Sequence, residues 1–245
     1  MSIKYDQKIS IIDHLEELRW RLIYSLVAFA LAAGFAFYYS ERILDLLLSP
    51  APLLKMTDGG KLVLLGVTEG FMIQFKISMY AGLVLASPVI LYQVAAFTLP
   101  AMEKHERFYL YSFVPAALGL FLAGVGIAYF VFLPYALKFF GTFSTQRIQL
   151  LVSAQSFISF VAGFVLPFGL VFELPLVVML GTHLGLLSPQ MLTRYRKYAI
   201  LVIFIVAAIL TPPDVVSQVA MALPLMALYE ISILMSRLVD RRKKA

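Results

Sequence analysis

The chain has 245 residues, of which 61% are hydrophobic and 14% are charged, and its formal net charge is +6. Soluble domains are about 45–50% apolar and about 25% charged, so this composition excludes a soluble globule. The apolar runs are continuous and do not alternate with polar residues, which excludes the strands of a membrane β-barrel. We therefore expect an all-α polytopic membrane protein. The absence of cysteine excludes disulfides and thiol chemistry.

The first 21 residues are polar and are expected to lie in the cytoplasm. Ser10 and Asp13 resemble a capping box, which predicts that a helix begins there. Apolar residues from Ile11 to Leu22 recur at helical spacing. We expect this helix to lie in the membrane interface and to run into the first span.

Six apolar segments follow, and we treat residues 1–245 as a single membrane domain. The predicted spans are 22–39, 71–94, 108–133, 157–180, 198–210 and 216–233. An amphipathic piece, Ile43 to Leu48, lies in the loop after the first span. Prolines fall inside four spans, which predicts kinked helices and a cupped shape. In particular, Pro88 is expected to break the second span and Pro134 to close the third.

The distribution of positive charge predicts the orientation. Most of the 20 Lys and Arg residues lie in the amino-terminal segment, in the loops after spans two and four, and in the tail. Loops on the cytoplasmic side of an inner membrane carry this excess. We therefore expect both termini to be cytoplasmic, in a bacterial or archaeal inner membrane. The net charge reflects this topology and does not indicate nucleic-acid binding.

Three acidic residues in or near the spans are candidates for function. Glu173 is placed inside the hydrocarbon, where a charge costs at least ~2.5 kcal/mol, so it needs a partner, water or protonation. A locally paired structural role remains an alternative. Glu230 lies in the cytoplasmic half of span six, where a structural role is as plausible as a functional one. Asp214 follows Pro213 in a turn and is expected to cap the start of span six.

Further acids lie on the cytoplasmic face, which otherwise carries basic residues. They are Glu17, Glu103 and Glu106. Each alone reads as solvated charge, and Glu17 lies four residues before Arg21, where it can support the helix. Together with Gln93 and Phe97 they predict a small anionic patch with an aromatic edge. Such a patch suits a cationic peptide, since carboxylates bind arginine in bidentate fashion.

Nothing in the sequence predicts an enzyme. The three histidines are scattered without ligand spacing, so we expect no metal and no cofactor. No nucleophile and base set, phosphate loop or metalloprotease motif is visible. An alternative to protein binding is secondary transport of a small solute or ion, which predicts inverted repeats around a midplane site. No such symmetry is apparent.

Several segments together resemble the TatC family, the core component of the twin-arginine protein translocase. The matching segments are HLEELRWRL (14–22), SPVILYQ (87–93), AF…P…HE (96–106), FGLVFELP (168–175), LTPPDVVSQ (210–218) and ALPLMALYEIS (222–232). The resemblance implies six helices in a cupped shape and a receptor for signal peptides that bear paired arginines. It implies partners of the TatA and TatB type, self-association in a complex, and export of folded proteins driven by the proton-motive force.

The resemblance also implies roles for particular residues. Contacts to the signal peptide would fall on Glu17, Phe97 and Glu106, and Glu173 would be the buried polar site on the concave face. Supporting or partner contacts would fall on Arg19, Pro88, Gln93, Asp214, Gln218 and Glu230. The chain departs from the family at Ala95, where many members carry a bulky aromatic residue, so the aromatic contact that this position would make beside Phe97 does not carry over from the resemblance.

Overall fold

The computed structural model describes residues 11–49, 62–98, 107–142, 152–210 and 215–244. Within these ranges the chain is helical apart from short connections and one isolated bridge. The helices are α1 (Ile11–Tyr38), α2 (Ser40–Leu48), α3 (Glu69–Thr98), α4 (Arg107–Ile127), a π-helical turn (Ala128–Phe132), α5 (Leu133–Gly141), α6 (Ala154–Phe172), α7 (Leu174–His183), α8 (Pro189–Arg194), α9 (Arg196–Leu210) and α10 (Val215–Lys244).

Five helical stretches in the described ranges are long and apolar enough to cross a membrane. They are Ile12–Tyr38, Glu69–Thr98, Phe113–Gly141, Ala154–His183 and Met221–Asp240. Many of their large apolar side chains face outwards, such as Leu31 at 72% and Phe35 at 60% exposure, as lipid contact requires. The all-α polytopic membrane fold is thus confirmed. A sixth crossing by α9, which has 15 residues, and the cytoplasmic location of both termini stay predictions.

The second predicted span does not break at Pro88, because α3 runs through it. Proline has no N–H, so it leaves the carbonyl four residues earlier without its helical donor. That carbonyl belongs to Val84, and the hydroxyl of Ser87 donates to it at 2.7 Å. Ser87 therefore supplies the hydrogen bond that Pro88 cannot make.

The expectation that Pro134 closes the third span is wrong, since the helix continues to Gly141. The π-helical turn explains the difference. The N–H of Leu133 donates to the carbonyl of Ala128, five residues earlier, and Pro134 then falls in the first turn of α5. A proline there removes no hydrogen bond that the new helix needs.

The described residues divide into two compact units. The first comprises Met1–Tyr39 and Ser78–Leu118, and the second Ser40–Ile77 and Gly119–Ala245. The predicted single domain therefore stays a prediction.

Within the first unit, α1 and α3 approach closely at a glycine. A Cβ added at Gly82 would lie 2.6 Å from the Cα of Ala33, so only glycine fits at this point. Ala86 and Ala95 on α3 are almost fully buried. Small residues at such contacts are typical of helix packing in membranes.

The core of the second unit is built around the phenylalanines of α6. Phe164 and Phe168 are buried, and the ring of Phe132 lies 5.3 Å from that of Phe168. A Cβ at Gly124 would come within 2.7 Å of Phe172, so α4 and α6 also meet at a glycine. This core is apolar and holds α4 to α6.

The carboxyl-terminal part of the second unit is held by buried hydroxyls. Thr182 of α7 and Ser236 of α10 lie 2.7 Å apart and are almost fully buried. The hydroxyl of Tyr229 donates to the carbonyl of Leu192 at 2.8 Å, which holds α8 against α10. Helix α10 continues well beyond residue 233, the predicted end of span six.

Candidate functional site

Side-chain contacts join α1 to α3 where the start of α1 meets the end of α3. Glu17 accepts a hydrogen bond from Nε of Arg21 at 2.9 Å and a second from its Nη2. Nη1 of Arg21 donates to Oε1 of Gln93 at 3.2 Å. The predicted pairing of Glu17 with Arg21 along the helix is present, and it extends to α3 through Gln93.

Phe97 joins this cluster through a histidine. The imidazole of His14 stacks on Phe97 with ring centroids 4.3 Å apart and planes 8° from parallel. Nδ1 of His14 lies 3.7 Å from Oε2 of Glu17. Gln93 and Phe97 are four residues apart and lie on one face of α3. We call His14, Glu17, Arg21, Gln93 and Phe97 the α1–α3 polar cluster.

The α1–α3 polar cluster is not simply anionic, which refines the predicted patch. The carboxylate of Glu17 is already shared with a guanidinium and faces an imidazole. Its side chain remains 31% exposed and that of Arg21 22%, so the ion pair lies at the surface and water reaches it. Glu103 and Glu106, the other two acids of the predicted patch, lie outside the described residues.

Arg19 and Pro88, predicted as supporting residues, lie outside this cluster. Arg19 is 62% exposed, pairs with Glu16 at 3.3 Å and lies over the ring of Trp20. Pro88 sits nine residues before Phe97, inside α3, and its local role is the helical one described above.

Glu173 occupies the junction of α6 and α7. Its N–H donates to the carbonyl of Leu170 at 3.2 Å, and Pro175 follows in the first turn of α7. Oε1 of Glu173 is buried and has no hydrogen-bond partner among the described residues. The side chains of Leu170 and Val177, one turn away on either side, are 62% and 60% exposed. Oε1 of Glu173 is thus buried without a hydrogen-bond partner among the described residues, while the apolar side chains one turn away on either side are exposed.

Two predicted partner-contact residues tie α9 to α10. Glu230 forms an ion pair with Arg196, whose Nη2 donates a hydrogen bond to Oε2 of Glu230 at 2.8 Å. Nε of Arg196 also lies 2.8 Å from Oε1 of Glu230, but this second contact is not a hydrogen bond. Nε2 of Gln218 donates to the carbonyl of Phe204 at 3.1 Å. Both Glu230 and Gln218 therefore have a structural role in packing α10 against α9. Asp214 lies outside the described residues.

The sequence interpretation missed two charged residues of the second unit. Glu69 is 7% exposed and accepts from the N–H groups of Leu65, Gly66 and Gln155 and from the hydroxyl of Ser153. This carboxylate joins the segment before α3 to the start of α6.

The other missed residue is Lys76. Its Nζ donates to the hydroxyl of Ser159 on α6 at 3.0 Å. Lys76 lies inside the predicted span 71–94, and a cation within an apolar span is costly unless it has a polar partner.

The fold and these contacts define a multi-pass α-helical membrane protein, and comparisons with known proteins give its family. A family model described as Sec-independent protein translocase protein (TatC) matches residues 13–224. The Sec-independent protein translocase protein TatC of Carboxydothermus hydrogenoformans is 40% identical over 239 residues, which are 97% of each chain. That of Aquifex aeolicus is 43% identical over 237 residues, 95% of this chain and 96% of its own.

A comparison with solved structures gives the same family. A crystal structure of the twin arginine translocase receptor TatC is 40% identical and superposes with a TM-score of 0.84, covering 93% of this chain and 99% of its own. The chain belongs to the TatC family and is a component of the Sec-independent protein translocase. Its relatives are named as translocase proteins and not as enzymes, and the family does not favour a small-solute transporter.

Proposed function

We propose that this chain binds twin-arginine signal peptides on the cytoplasmic face of an inner membrane. The peptide would contact Glu17, Phe97 and Glu106, and binding would recruit single-span partners of the TatA and TatB type. Export of the folded cargo would be driven by the proton-motive force.

This proposal rests on the hydrogen bonds by which the α1–α3 polar cluster binds the guanidinium of Arg21. Glu17 holds one edge of the Arg21 guanidinium, and the amide oxygen of Gln93 holds the remaining nitrogen. Beside them, Phe97 already carries a flat ring on its face. A carboxylate, a neutral acceptor and an aromatic face are the groups that bind arginine best. In this proposal Arg21 occupies part of the site when the peptide is absent.

A binding experiment with two matched acids tests the proposal. Glu16 is adjacent to Glu17, is 61% exposed, and pairs with Arg19 across one helical turn. We expect Glu17→Gln to weaken binding of a twin-arginine peptide by about tenfold, the size of one charge-assisted hydrogen bond, and Glu16→Gln to leave it unchanged. A twin-lysine peptide should bind weakly to all three proteins, because lysine lacks the planar fork.

Two results would contradict the proposal. One is equal binding of the arginine and lysine peptides by the unmodified protein. The other is an equal effect of the Glu16 and Glu17 substitutions, which would indicate a general charge effect. Binding should also fall as salt rises, since the contacts are partly exposed.

A further inference from the structure

The second unit contains an open cavity of about 680 Å³ between α8 and the end of α10. It is lined by Pro189, Gln190, Thr193, Arg194, Arg237 and Asp240. Neither Arg194 nor Arg237 makes a side-chain hydrogen bond or ion pair within the described part of the chain. Two exposed guanidinium groups therefore face one cavity with their donors unused.

The cavity lies where α10 leaves its apolar stretch. Leu234 and Leu238 are 56% and 61% exposed, and they lie three residues before and one residue after Arg237. The apolar stretch ends at Asp240, and four basic residues follow it, Arg241 to Lys244. This change from exposed leucine to arginine marks the depth at which hydrocarbon gives way to lipid headgroups.

From these two features we propose that the cavity binds the headgroup of an anionic phospholipid of the phosphatidylglycerol class. Arg194 and Arg237 would hold the phosphate from two sides, as paired guanidinium groups do. An acyl chain would lie along Leu234 and Leu238. Basic pockets between membrane helices on the cytoplasmic side are suited to such lipids.

The remaining groups favour this headgroup over others. The amide of Gln190 adds a neutral donor to the lining, and the carboxylate of Asp240 can accept from the hydroxyls of the glycerol moiety. Asp240 is itself not without a partner in the structure. With two arginines against one acid, the cavity favours a net negative headgroup over zwitterionic phosphatidylcholine or phosphatidylethanolamine.

Lipid binding to the full chain, purified in detergent, tests the inference. We would titrate phosphatidylglycerol, phosphatidylcholine and phosphatidylethanolamine and count bound lipids by native mass spectrometry. The test variant is the double substitution Arg194→Gln and Arg237→Gln. The control is Arg42→Gln with Lys138→Gln, which removes the same charge from exposed positions of α2 and α5 away from the cavity.

We expect tighter binding of phosphatidylglycerol than of either zwitterionic lipid, and a loss of about tenfold or more in the cavity variant, since two charge-assisted contacts disappear. The control should bind like the unmodified protein. Equal binding of the three lipids, or equal losses in the two variants, would overturn the proposal.

Competition on the unmodified protein separates a lipid from a soluble phosphate and depends on no variant. Inorganic phosphate and the deacylated headgroup, both at millimolar concentration, should leave the bound lipid in place because they lack the acyl contacts. Displacement by either would assign the cavity to a soluble phosphate and overturn the lipid assignment. None of these measurements involves a signal peptide, so they stand apart from the function proposed above.

Discussion

The imidazole of His14 lies flat against the ring of Phe97, with centroids 4.3 Å apart and planes 8° from parallel. The stack joins α1 to α3 and fixes the orientation of the aromatic face that we assign to the signal peptide.

The stack should be measurable by a double-mutant cycle. His14→Ala and Phe97→Ala together should destabilise the protein less than the sum of the two single changes, by about 0.5–1.5 kcal/mol, the usual size of an aromatic pair. Thermal unfolding in detergent measures the change in stability of the two single variants and of the double variant. Phe97→Tyr keeps the ring and should retain peptide crosslinking, whereas Phe97→Leu should lose it. Additive single changes would show that the stack contributes nothing.

The hydrogen bond from Ser87 to the carbonyl of Val84 can be tested by two substitutions, one that removes it and one that restores a donor to that carbonyl. Ser87→Ala should lower stability by about 1 kcal/mol, because the Val84 carbonyl loses its donor. Adding Pro88→Ala should restore it, since the new N–H can donate to that carbonyl.

A matched control for this test exists in α1. The hydroxyl of Ser25 donates to the carbonyl of Arg21 at 2.9 Å, but an ordinary helical N–H is available to that carbonyl as well. Ser25→Ala should therefore have a smaller effect on the unfolding temperature. If Pro88→Ala fails to rescue Ser87→Ala, the repair by Ser87 is not the reason that α3 stays continuous.

These contacts show which parts of the structure the sequence can predict. Helical spans follow from apolar runs because a bilayer forces backbone groups to pair within the segment. The pair of Glu17 and Arg21 follows from four-residue spacing. The stack of His14 on Phe97 does not, because it depends on the packing of two helices distant in sequence.

The contacts of Glu69 are also beyond what the sequence can predict. Its partners include Ser153, 84 residues away, and three backbone N–H groups, which no side-chain pattern reveals. Lys76 is different, since its charge inside an apolar run was visible in the sequence alone.

The role of Glu69 leads to a third prediction. Glu69→Ala should leave the N–H groups of Leu65, Gly66 and Gln155 without their acceptor, and so loosen the junction at the start of α6. Hydrogen exchange should become faster at those three amides. Glu69→Gln retains one acceptor oxygen and should have an intermediate effect.

Glu41, an exposed acid in the first turn of α2, provides the control. Glu41→Ala removes the same charge and should not change exchange at the three amides. Unchanged exchange in Glu69→Ala would mean that other contacts hold the junction.

The length of α9 gives a fourth prediction. Its 15 residues cover roughly 22 Å, against a hydrocarbon core of about 30 Å. We expect the bilayer to be thinned beside α9 and this edge to receive the partner helices. Inserting four apolar residues between Lys197 and Phe204 should impair transport while membrane insertion persists.

The contacts of α9 with α10 give a second reason to expect that the longer helix impairs transport. Four residues move the two ends of α9 apart by about 6 Å, so its ties to Glu230 and Gln218 cannot both survive. The control changes Val202, Ile205 and Ile209, all exposed, to leucine without changing the length. Normal transport by the lengthened protein would contradict the importance of a short α9.

The last prediction concerns the carboxyl group of Glu173. Because Oε1 has no hydrogen-bond partner among the described residues, Glu173→Leu removes no internal bond and should not lower the unfolding temperature. If the carboxyl group meets a polar group of a partner helix, the same change should weaken assembly with TatA-type partners. Glu173→Gln keeps the hydrogen-bonding capacity and should be mild, and Val177→Leu, at an exposed side chain one turn away, is the control. Assembly measured by crosslinking, with signal-peptide binding measured in parallel, separates the two steps: we expect the leucine variant to bind peptide and fail to assemble. A leucine variant that assembles like the unmodified protein would leave Glu173 without a role in partner contact.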